Sequence, residues 1–210
     1  KLKHFRIHTA LQFRECNSNW IRQNFSVNLV KLQKELYGEV CYPLSLTQKR
    51  RQSICTARSF RIEVSELSEL KEVIAAYANT CAIKLRKEKS YCTKASIFLS
   101  TNPFSLHENP YNPYTVNQLN VPTNDSMEIV KIALIALENI YRIDCTYKKA
   151  GVIVAGTIPE KQIQLRLFDN LDRMKRKNIK KTVDIINSSM GKDKVHLAIQ
   201  GNGRKWKLKQ

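Results

Sequence analysis

The sequence lacks the features that mark several large classes of protein. No apolar run approaches the ~18–20 residues of a membrane helix, so we predict no membrane-spanning segment. The six cysteines form no Cys-x-x-Cys pair and the four histidines lie far apart, which argues against zinc and predicts reduced thiols. There is no P-loop, no pair of adjacent acidic residues, no internal repeat and no low-complexity block. Because the chain begins at Lys1 without a secretory segment, we expect an internal piece of a cytoplasmic protein.

Acidic residues are scarce in two segments of a chain whose formal net charge is +18. Residues 41–62 contain five basic and no acidic residues, and residues 171–210 contain twelve basic against three acidic. Residues 63–155 are balanced, with ten of each. Charge gathered into a linker and a tail predicts a polyanionic partner, most simply nucleic acid. A protein that binds a membrane surface usually has an amphipathic helix with aromatic residues, and the sequence contains no convincing helix of this kind.

The first forty residues predict short helices capped by Thr9, by Asn17 or Ser18, and by Ser26, with Gly38 at the last stop. Their predicted core is formed by Phe5, Ile7, Leu11, Phe13, Trp20, Ile21, Phe25, Val30 and Leu36. So short a segment seldom folds alone, and we expect it to be the end of a larger helical unit. Residues 39–52 lack helical periodicity and predict a linker.

The centre of the chain predicts an α+β domain with the order β-α-β-β-α-β. Alternating residues predict the strands Ser53–Arg61, Thr93–Ser100, Tyr114–Val121 and Tyr147–Ala155. Helical spacing predicts one helix opened by Ser65 and a second with Asp125 and Glu128 as a capping box. This is the split βαβ plan, in which two helices cover one face of a four-stranded antiparallel sheet. The open face is a natural platform for nucleic acid.

Beyond this domain, periodicity predicts a basic helix over Arg173–Ser188 and a short strand over Val195–Ile199. The aromatic residues Tyr77, Phe98, Phe104 and Tyr141 are assigned to the core. Aromatic residues in the core argue against a platform that stacks unpaired RNA bases.

The connector before the basic tail contains an unusual peptide, Gln164-Leu165-Arg166-Leu167-Phe168. Apolar residues in an exposed connector are typical of a short linear motif that docks in an extended form on another protein. The alternative is an edge strand whose leucines cover the preceding sheet. The peptide resembles the Gln-Leu-x-Leu-Phe sequence by which bacterial DNA polymerases hold the sliding clamp.

The chain resembles the C-terminal half of the UmuC-type Y-family translesion DNA polymerases. The resemblance covers nearly all 210 residues. It is carried, in order, by Ile7–Leu11, Lys34–Gly38, Ile54–Phe60, Thr101–Phe104, Val121–Ser126, Tyr147–Val152 and Gln164–Asp169. One departure is Arg61, where the family's Arg-Ser-Phe-Gly has glycine.

The resemblance implies a domain organisation in five parts. These are a thumb remnant (1–40), a basic tether (41–57), a little-finger DNA-binding domain (58–155), a linker with the clamp-binding peptide (156–170) and a basic C-terminal extension (171–210). It also implies that the catalytic palm, whose carboxylates hold Mg²⁺, is absent, so the chain is expected to need no cofactor and to polymerise nothing alone. The partners implied are primer–template DNA, the sliding clamp, and a UmuD-type subunit and recombinase filament.

Basic and polar residues at strand ends are the candidate DNA contacts, because backbone contacts position DNA without reading its bases. They are Arg58, Ser59, Arg61, Lys94, Thr101, Asn102, Lys148 and Lys149, with Lys49, Arg50 and Arg51 in the tether. Two other hypotheses stay open: a basic ferredoxin-like protein that binds structured RNA, and a gene remnant without function.

Overall fold

The computed structural model describes residues 1–44, 50–105, 110–163, 172–191 and 193–202. It divides into two compact units, Lys1–Arg50 and Arg51–Gln210. The boundary falls inside the segment predicted to be the tether, and the five-part division stays a prediction. No helix in these described ranges is both long and apolar enough to cross a membrane.

The first unit is a set of short helices: a 3-10 turn (Leu2–Phe5), α1 (Ala10–Arg14), α2 (Ser18–Asn24) and α3 (Val27–Leu36). Thr9 and Gln12 form a full capping box at α1, and Asn17 rather than Ser18 caps α2. Ser26 stands at the N-cap position of α3 without a side-chain cap bond. Gly38 follows α3 with a φ of +87°, a conformation that glycine adopts without strain.

The core of the first unit is smaller than the sequence predicts. Ile7, Phe13 and Ile21 are buried, and Phe5, Leu11 and Leu36 of the predicted core are exposed. A buried glutamine ties the helices together instead. The Gln33 amide donates to the Arg14 carbonyl at 2.8 Å and accepts from the Ser18 hydroxyl at 2.7 Å. Such an amide is sequence-distant from its partners, so periodicity alone does not reveal it.

The second unit contains β1 (Ser53–Val64), α4 (Leu67–Lys87), β2 (Ser90–Thr101), β3 (Tyr114–Thr123), α5 (Ser126–Ile140) and β4 (Tyr147–Ala155), so it is of the α+β class. The strands pair antiparallel in the order β1-β4-β2-β3. A two-residue strand, β5 (Ile158–Pro159), pairs with the start of β2. Beyond it lie a 3-10 turn (Glu160–Gln162), α6 (Arg173–Ser189) and a last 3-10 turn (Ala198–Gln200).

Helices α4 and α5 pack on one face of the sheet and enclose its core. Ile97, Leu99, Val152 and Val154 of the central strands are fully buried there against residues of both helices. Strand residues alternate between faces, so these four positions place the residues between them on the opposite, uncovered face. Burial also raises the pKa of the Cys81 thiol to about 11, and none of the six cysteines is in a disulfide.

Three local predictions were wrong, each because of a side-chain contact. Helix α4 begins at Leu67 rather than near Ser65, whose carbonyl accepts a bond from the Tyr141 hydroxyl at 2.9 Å. Asp125 caps α5 through the Met127 amide, but no capping box forms, since the Glu128 carboxylate pairs with Arg173 at 2.7 Å.

The predicted strand over Val195–Ile199 is the third wrong prediction, because its last residues form a 3-10 turn instead. The Asn187 side chain, and not a neighbouring strand, forms the hydrogen bonds of the Val195 backbone. It donates to the Val195 carbonyl and accepts from the Val195 amide, both at 2.8 Å.

Candidate nucleic-acid interface

The uncovered face of the sheet can be listed from the strand register, because directly paired residues lie on the same face. Its central row joins Ala57, Gly151, Phe98 and Tyr114 across all four strands. The remaining positions are Ser53, Cys55 and Ser59 on β1, Lys149, Ile153 and Ala155 on β4, Lys94, Ser96 and Ser100 on β2, and Val116 and Gln118 on β3. None of these residues is acidic.

Two lysines supply the charge of this face. Lys149 pairs with Ser59 on one side and Ser100 on the other, and its ammonium lies 5.7 Å from the centre of the Phe98 ring. Lys94 lies at the far end of β2, opposite Ala155 and Gln118, and is exposed. Two positive groups without a carboxylate among them attract an anion more than a neutral surface would.

A bulge at the end of β1 adds a third and fourth cation. The register shifts between Ser59 and Val64, so this segment carries extra residues and bends out of the ladder. Arg61 is exposed on the bulge, and its carbonyl accepts a bond from the Lys148 ammonium at 3.3 Å. This bond brings the Lys148 ammonium to the backbone of the bulge, at the end of the sheet where β1 ends and β4 begins.

Arg58 lies on the other face of the sheet. It pairs with Ala150, a core residue, and thus points to the side that the helices cover, although it is exposed there. Its charge slightly offsets the effect of burial on Tyr77, whose pKa burial raises to about 12. The structure therefore separates Arg58 from Ser59, which the sequence placed in one site.

Thr101 and Asn102 shape a turn and have little capacity for other ligands. The buried Thr101 hydroxyl accepts from the Tyr111 amide at 2.9 Å. The Asn102 amide donates to Glu63 at 3.0 Å, and its oxygen accepts from the Phe104 amide at 3.1 Å. These internal bonds do not support the prediction that both residues contact a phosphate backbone.

The remaining predicted contacts lie in the tether and the connector. Arg50 is exposed, and Arg51 pairs with Glu88 at 3.5 Å. Lys49 lies outside the described residues. So does the whole predicted clamp-binding set, Gln164, Leu165, Leu167 and Phe168.

Two aromatic residues were assigned to the wrong environment. Phe98 lies on the uncovered face opposite Tyr114 rather than in the core, and Phe104 is 89% exposed. The alternation of β2 already places Phe98 beside Lys94 and Ser96, which is the signal that its size obscured. Tyr77 is buried and Tyr141 packs against the core, as predicted.

The basic tail helix is held by carboxylates of the same unit. Lys180 and Arg176 lie 2.8 Å and 3.2 Å from the Asp125 carboxylate, which is 1% exposed. Lys177 lies 2.7 Å from Glu160. A fourth pair runs in the opposite sense, because Arg86 of α4 binds Asp184 of α6 through two bonds of 2.6 Å and 2.8 Å. Part of the charge predicted to serve a polyanion therefore stabilises the fold.

The described residues include no cluster of three His, Cys, Asp or Glu side chains that could hold a metal ion. The uncovered face itself has no acidic residue and carries the cations Lys94 and Lys149. Such a face can hold phosphates through charge-assisted hydrogen bonds.

Comparison with known proteins gives two family matches. Residues 51–167 match the impB/mucB/samB family C-terminal domain, and residues 171–210 match a domain of unknown function, DUF4113. The first match covers more than half of the chain and contains the whole β-α-β-β-α-β unit.

Individual relatives show the same relationship. The chain is 36% identical to protein ImpB and 35% identical to protein UmuC, both of Salmonella typhimurium, over its whole length. It is 36% identical to protein MucB of Escherichia coli over 78% of its length. The chain spans about half the length of ImpB and UmuC. It belongs to the impB/mucB/samB family, matching the C-terminal half of UmuC-type proteins.

Proposed function

We propose that this chain is the DNA-holding and clamp-tethering part of a UmuC-type translesion DNA polymerase. The observation that carries the proposal is the uncovered sheet face, which has Lys94 and Lys149 and no acidic residue. Arg61 and Lys148 lie at the end of the sheet where β1 ends and β4 begins. Contacts of this kind bind the phosphate backbone in any sequence, which suits a polymerase that must accept damaged bases.

In this proposal residues 58–155 are the little finger and residues 1–40 the end of the thumb. The catalytic carboxylates would belong to a palm in the other half of such a polymerase, since the chain spans about half the length of ImpB and UmuC. A UmuD-type subunit and a recombinase filament are the further partners that membership in this family suggests. None of these assignments requires a metal ion or cofactor bound to this chain.

One observation favours the alternative partner, structured RNA. Phe98 and Tyr114 form an aromatic pair on the uncovered face, where RNA-binding sheets carry aromatic residues that stack on bases. The Lys149 ammonium over the Phe98 ring is the contrary feature, since it occupies the space above one of these rings. Competition between primer–template DNA and a folded RNA for the chain decides between the two.

The first prediction concerns the salt dependence of DNA binding. Lys94→Gln together with Lys149→Gln should lower the slope of log K against log salt concentration by about two, since each phosphate contact contributes about 0.9. The measurement is fluorescence anisotropy with a primer–template at several salt concentrations. The charge-matched control is Lys87→Gln with Lys131→Gln, two exposed residues on the helices that cover the other face.

A slope that changes equally in both pairs of variants would show that only net charge matters and would remove the uncovered face as the binding site. Unchanged slopes in both would have the same consequence. Folding is expected to be intact in all four positions, because each lysine is exposed and none is paired with a described carboxylate.

The second prediction concerns the sliding clamp. Leu167→Ala with Phe168→Ala should weaken binding to the bacterial clamp at least tenfold, because two apolar anchors of a docked peptide are removed. The measurement is titration calorimetry or surface plasmon resonance on the full chain. A matched control is Met174→Ala with Ile185→Ala, which removes two exposed apolar side chains of α6.

Clamp binding that survives the Leu167/Phe168 change, or that the control lowers equally, would contradict the docking role of the peptide. Absence of clamp binding by the intact chain would do so as well, and would favour the edge-strand interpretation of this peptide.

A further inference from the structure

The three most exposed large apolar side chains of the second unit, among its described residues, lie at one end of the sheet. Phe104 is 89% exposed, Ile143 84% and Ile62 80%. Ile62 is on the bulge that ends β1, Phe104 follows β2, and Ile143 precedes β4. The register joins these ends, because Tyr147 of β4 pairs with both Val64 and Thr101. We call Ile62, Phe104 and Ile143 the apolar tip.

One carboxylate links the three segments that carry the apolar tip. Glu63, next to Ile62, accepts the Asn102 amide at 3.0 Å and the Thr146 hydroxyl at 3.1 Å through its two oxygens. Asn102 begins the turn that presents Phe104, and Thr146 ends the loop that carries Ile143. The apolar tip is therefore built into the fold by side-chain hydrogen bonds.

Each part of the tip is also fixed locally. The Asn102 oxygen accepts from the Phe104 amide at 3.1 Å, and the Ser105 amide closes the same turn on the Asn102 carbonyl at 3.2 Å. The Tyr147 hydroxyl accepts from the Arg142 amide at 2.8 Å, one residue before Ile143. A phenylalanine held away from the core by such a turn loses the stabilisation that burial would give. Held in this way, the exposed ring is available to a ligand.

Charge selects the class of ligand. Arg61 lies beside Ile62 in sequence, Lys148 bonds to the Arg61 carbonyl, and Lys149 continues along β4. Among the described residues, the acidic groups at this end include Glu63, whose two oxygens are occupied as described, Glu66 after β1 and Asp144 of the loop. Apolar and aromatic side chains beside a row of cations suit a nucleic-acid strand, whose bases have apolar faces and whose phosphates are negative.

We propose that the apolar tip binds unpaired nucleotides of the template next to the duplex, with Phe104 stacked on a base. In a regular duplex the faces of the bases are covered by their neighbours, so an exposed ring gains little there. At a primer–template junction the unpaired bases are uncovered, and stacking on them is tolerant of sequence and of damage. This inference rests on the proposed function, because the duplex beside the tip is the one held by the uncovered sheet face.

The test compares two DNAs with equal numbers of phosphates, a blunt duplex and a primer–template with an unpaired 5′ overhang, by anisotropy with the full chain. Phe104→Ala with Ile62→Ala should weaken primer–template binding about tenfold. Blunt-duplex binding should change less than twofold. Phe104→Trp should keep the preference for the overhang, and Phe104→Leu should lose most of it, because leucine is apolar but cannot stack.

The matched control is Ile185→Ala with Met190→Ala, which removes two exposed apolar side chains at α6 and should leave both affinities unchanged. Equal loss on both DNAs, no loss on either, or full retention by Phe104→Leu would overturn the proposal. If neither DNA loses affinity, or if Phe104→Leu binds as the parent does, a protein partner becomes the alternative ligand of the apolar tip. A melting temperature within a few degrees of the parent chain confirms that each exposed substitution leaves the fold intact.

The two proposals fail in different ways. If the Lys94/Lys149 variant loses salt dependence while the Phe104 variants bind the overhang as the parent does, the sheet face binds DNA and the inference about the apolar tip is wrong. If the parent chain binds folded RNA in preference to both DNAs, the proposed function fails and the inference with it.

Discussion

Asp125→Asn is expected to lower the free energy of unfolding of the second unit by about 3 kcal/mol, the loss typical of breaking a buried ion pair. The Asp125 carboxylate is 1% exposed and lies 2.8 Å from Lys180 and 3.2 Å from Arg176. Asparagine removes the negative charge, so that the Lys180 ammonium loses its carboxylate partner and Arg176 keeps the longer contact with Glu128 at 3.7 Å. Urea denaturation, followed by circular dichroism, measures the difference.

The choice of asparagine separates the charge of Asp125 from its role as a helix cap. The carboxylate accepts the Met127 amide at 2.9 Å, and an asparagine side chain can cap a helix equally well. Asp172→Asn is the matched control, because Asp172 caps α6 through the Lys175 amide but is exposed. The control should lose less than about 1 kcal/mol. Similar losses in both variants would show that burial of the ion pair has little effect.

A second substitution tests whether the unpaired Lys180 ammonium causes the loss of stability in Asp125→Asn. Lys180→Met in the Asp125→Asn background removes the buried ammonium and keeps an apolar side chain of similar length. The double variant is expected to recover part of the lost stability, since apolar residues often replace a buried ion pair at little cost. If the losses of the two single variants simply add, Asp125 and Lys180 are not coupled.

The difference in stability between the parent and Asp125→Asn should depend on pH, and the contacts of Asp125 determine the direction. Burial raises the pKa of Asp125, but the bonds and charge of Lys180 and the bonds from Met127 and Arg176 outweigh it, so the pKa lies below its usual 3.8. Burial lowers the pKa of Lys180, and the hydrogen bond and charge of Asp125 act in the opposite direction. A carboxylate with a lowered pKa contributes stability that is complete above pH ~4 and is lost as pH falls through the lower folded value. The stability difference between parent and Asp125→Asn should therefore shrink below pH 4.

Local patterns allow most of the α+β unit to be predicted, because each element has its period in its own sequence. β4 was predicted with its observed bounds, and α5 follows the capping aspartate that marks it. The errors are at residues whose neighbours are distant in sequence. Nothing near Glu128 or Asp184 indicates that their partners are Arg173 and Arg86.

The spatial arrangement of the candidate site residues could be predicted less fully than the fold, for a geometric reason. A short basic segment such as Arg58-Ser59-Phe60-Arg61 suggests one site. The side chains of β1 alternate between faces, however, so Arg58 and Ser59 lie on opposite faces of the sheet. A bulge then changes the register before Arg61. Charge composition indicates the class of partner, whereas strand register decides which charges can meet it.

Gly151 is the uncovered-face position where a side chain is expected to be most damaging. A Cβ built on Gly151 would lie 2.4 Å from two atoms of the Phe98 ring and 2.6 Å from the Ala57 Cβ. The ring could move, but Ala57 is fixed by the backbone of the paired strand. Gly151→Val should therefore lower the free energy of unfolding by about 2–3 kcal/mol through overpacking. Gly151→Ala should have a smaller effect of the same sign.

Ser59→Val is the control for Gly151→Val, since it adds a valine at an exposed position of the same face, where β-branched residues favour a strand. It should be close to neutral in the same urea titration. In a Phe98→Ala background Gly151→Val should cost less than in the parent, because only the Ala57 contact then remains. An equal cost in both backgrounds would mean that the ring yields freely. Because Lys149 lies over the Phe98 ring, a displaced ring should also weaken DNA binding at temperatures where Gly151→Val is still folded.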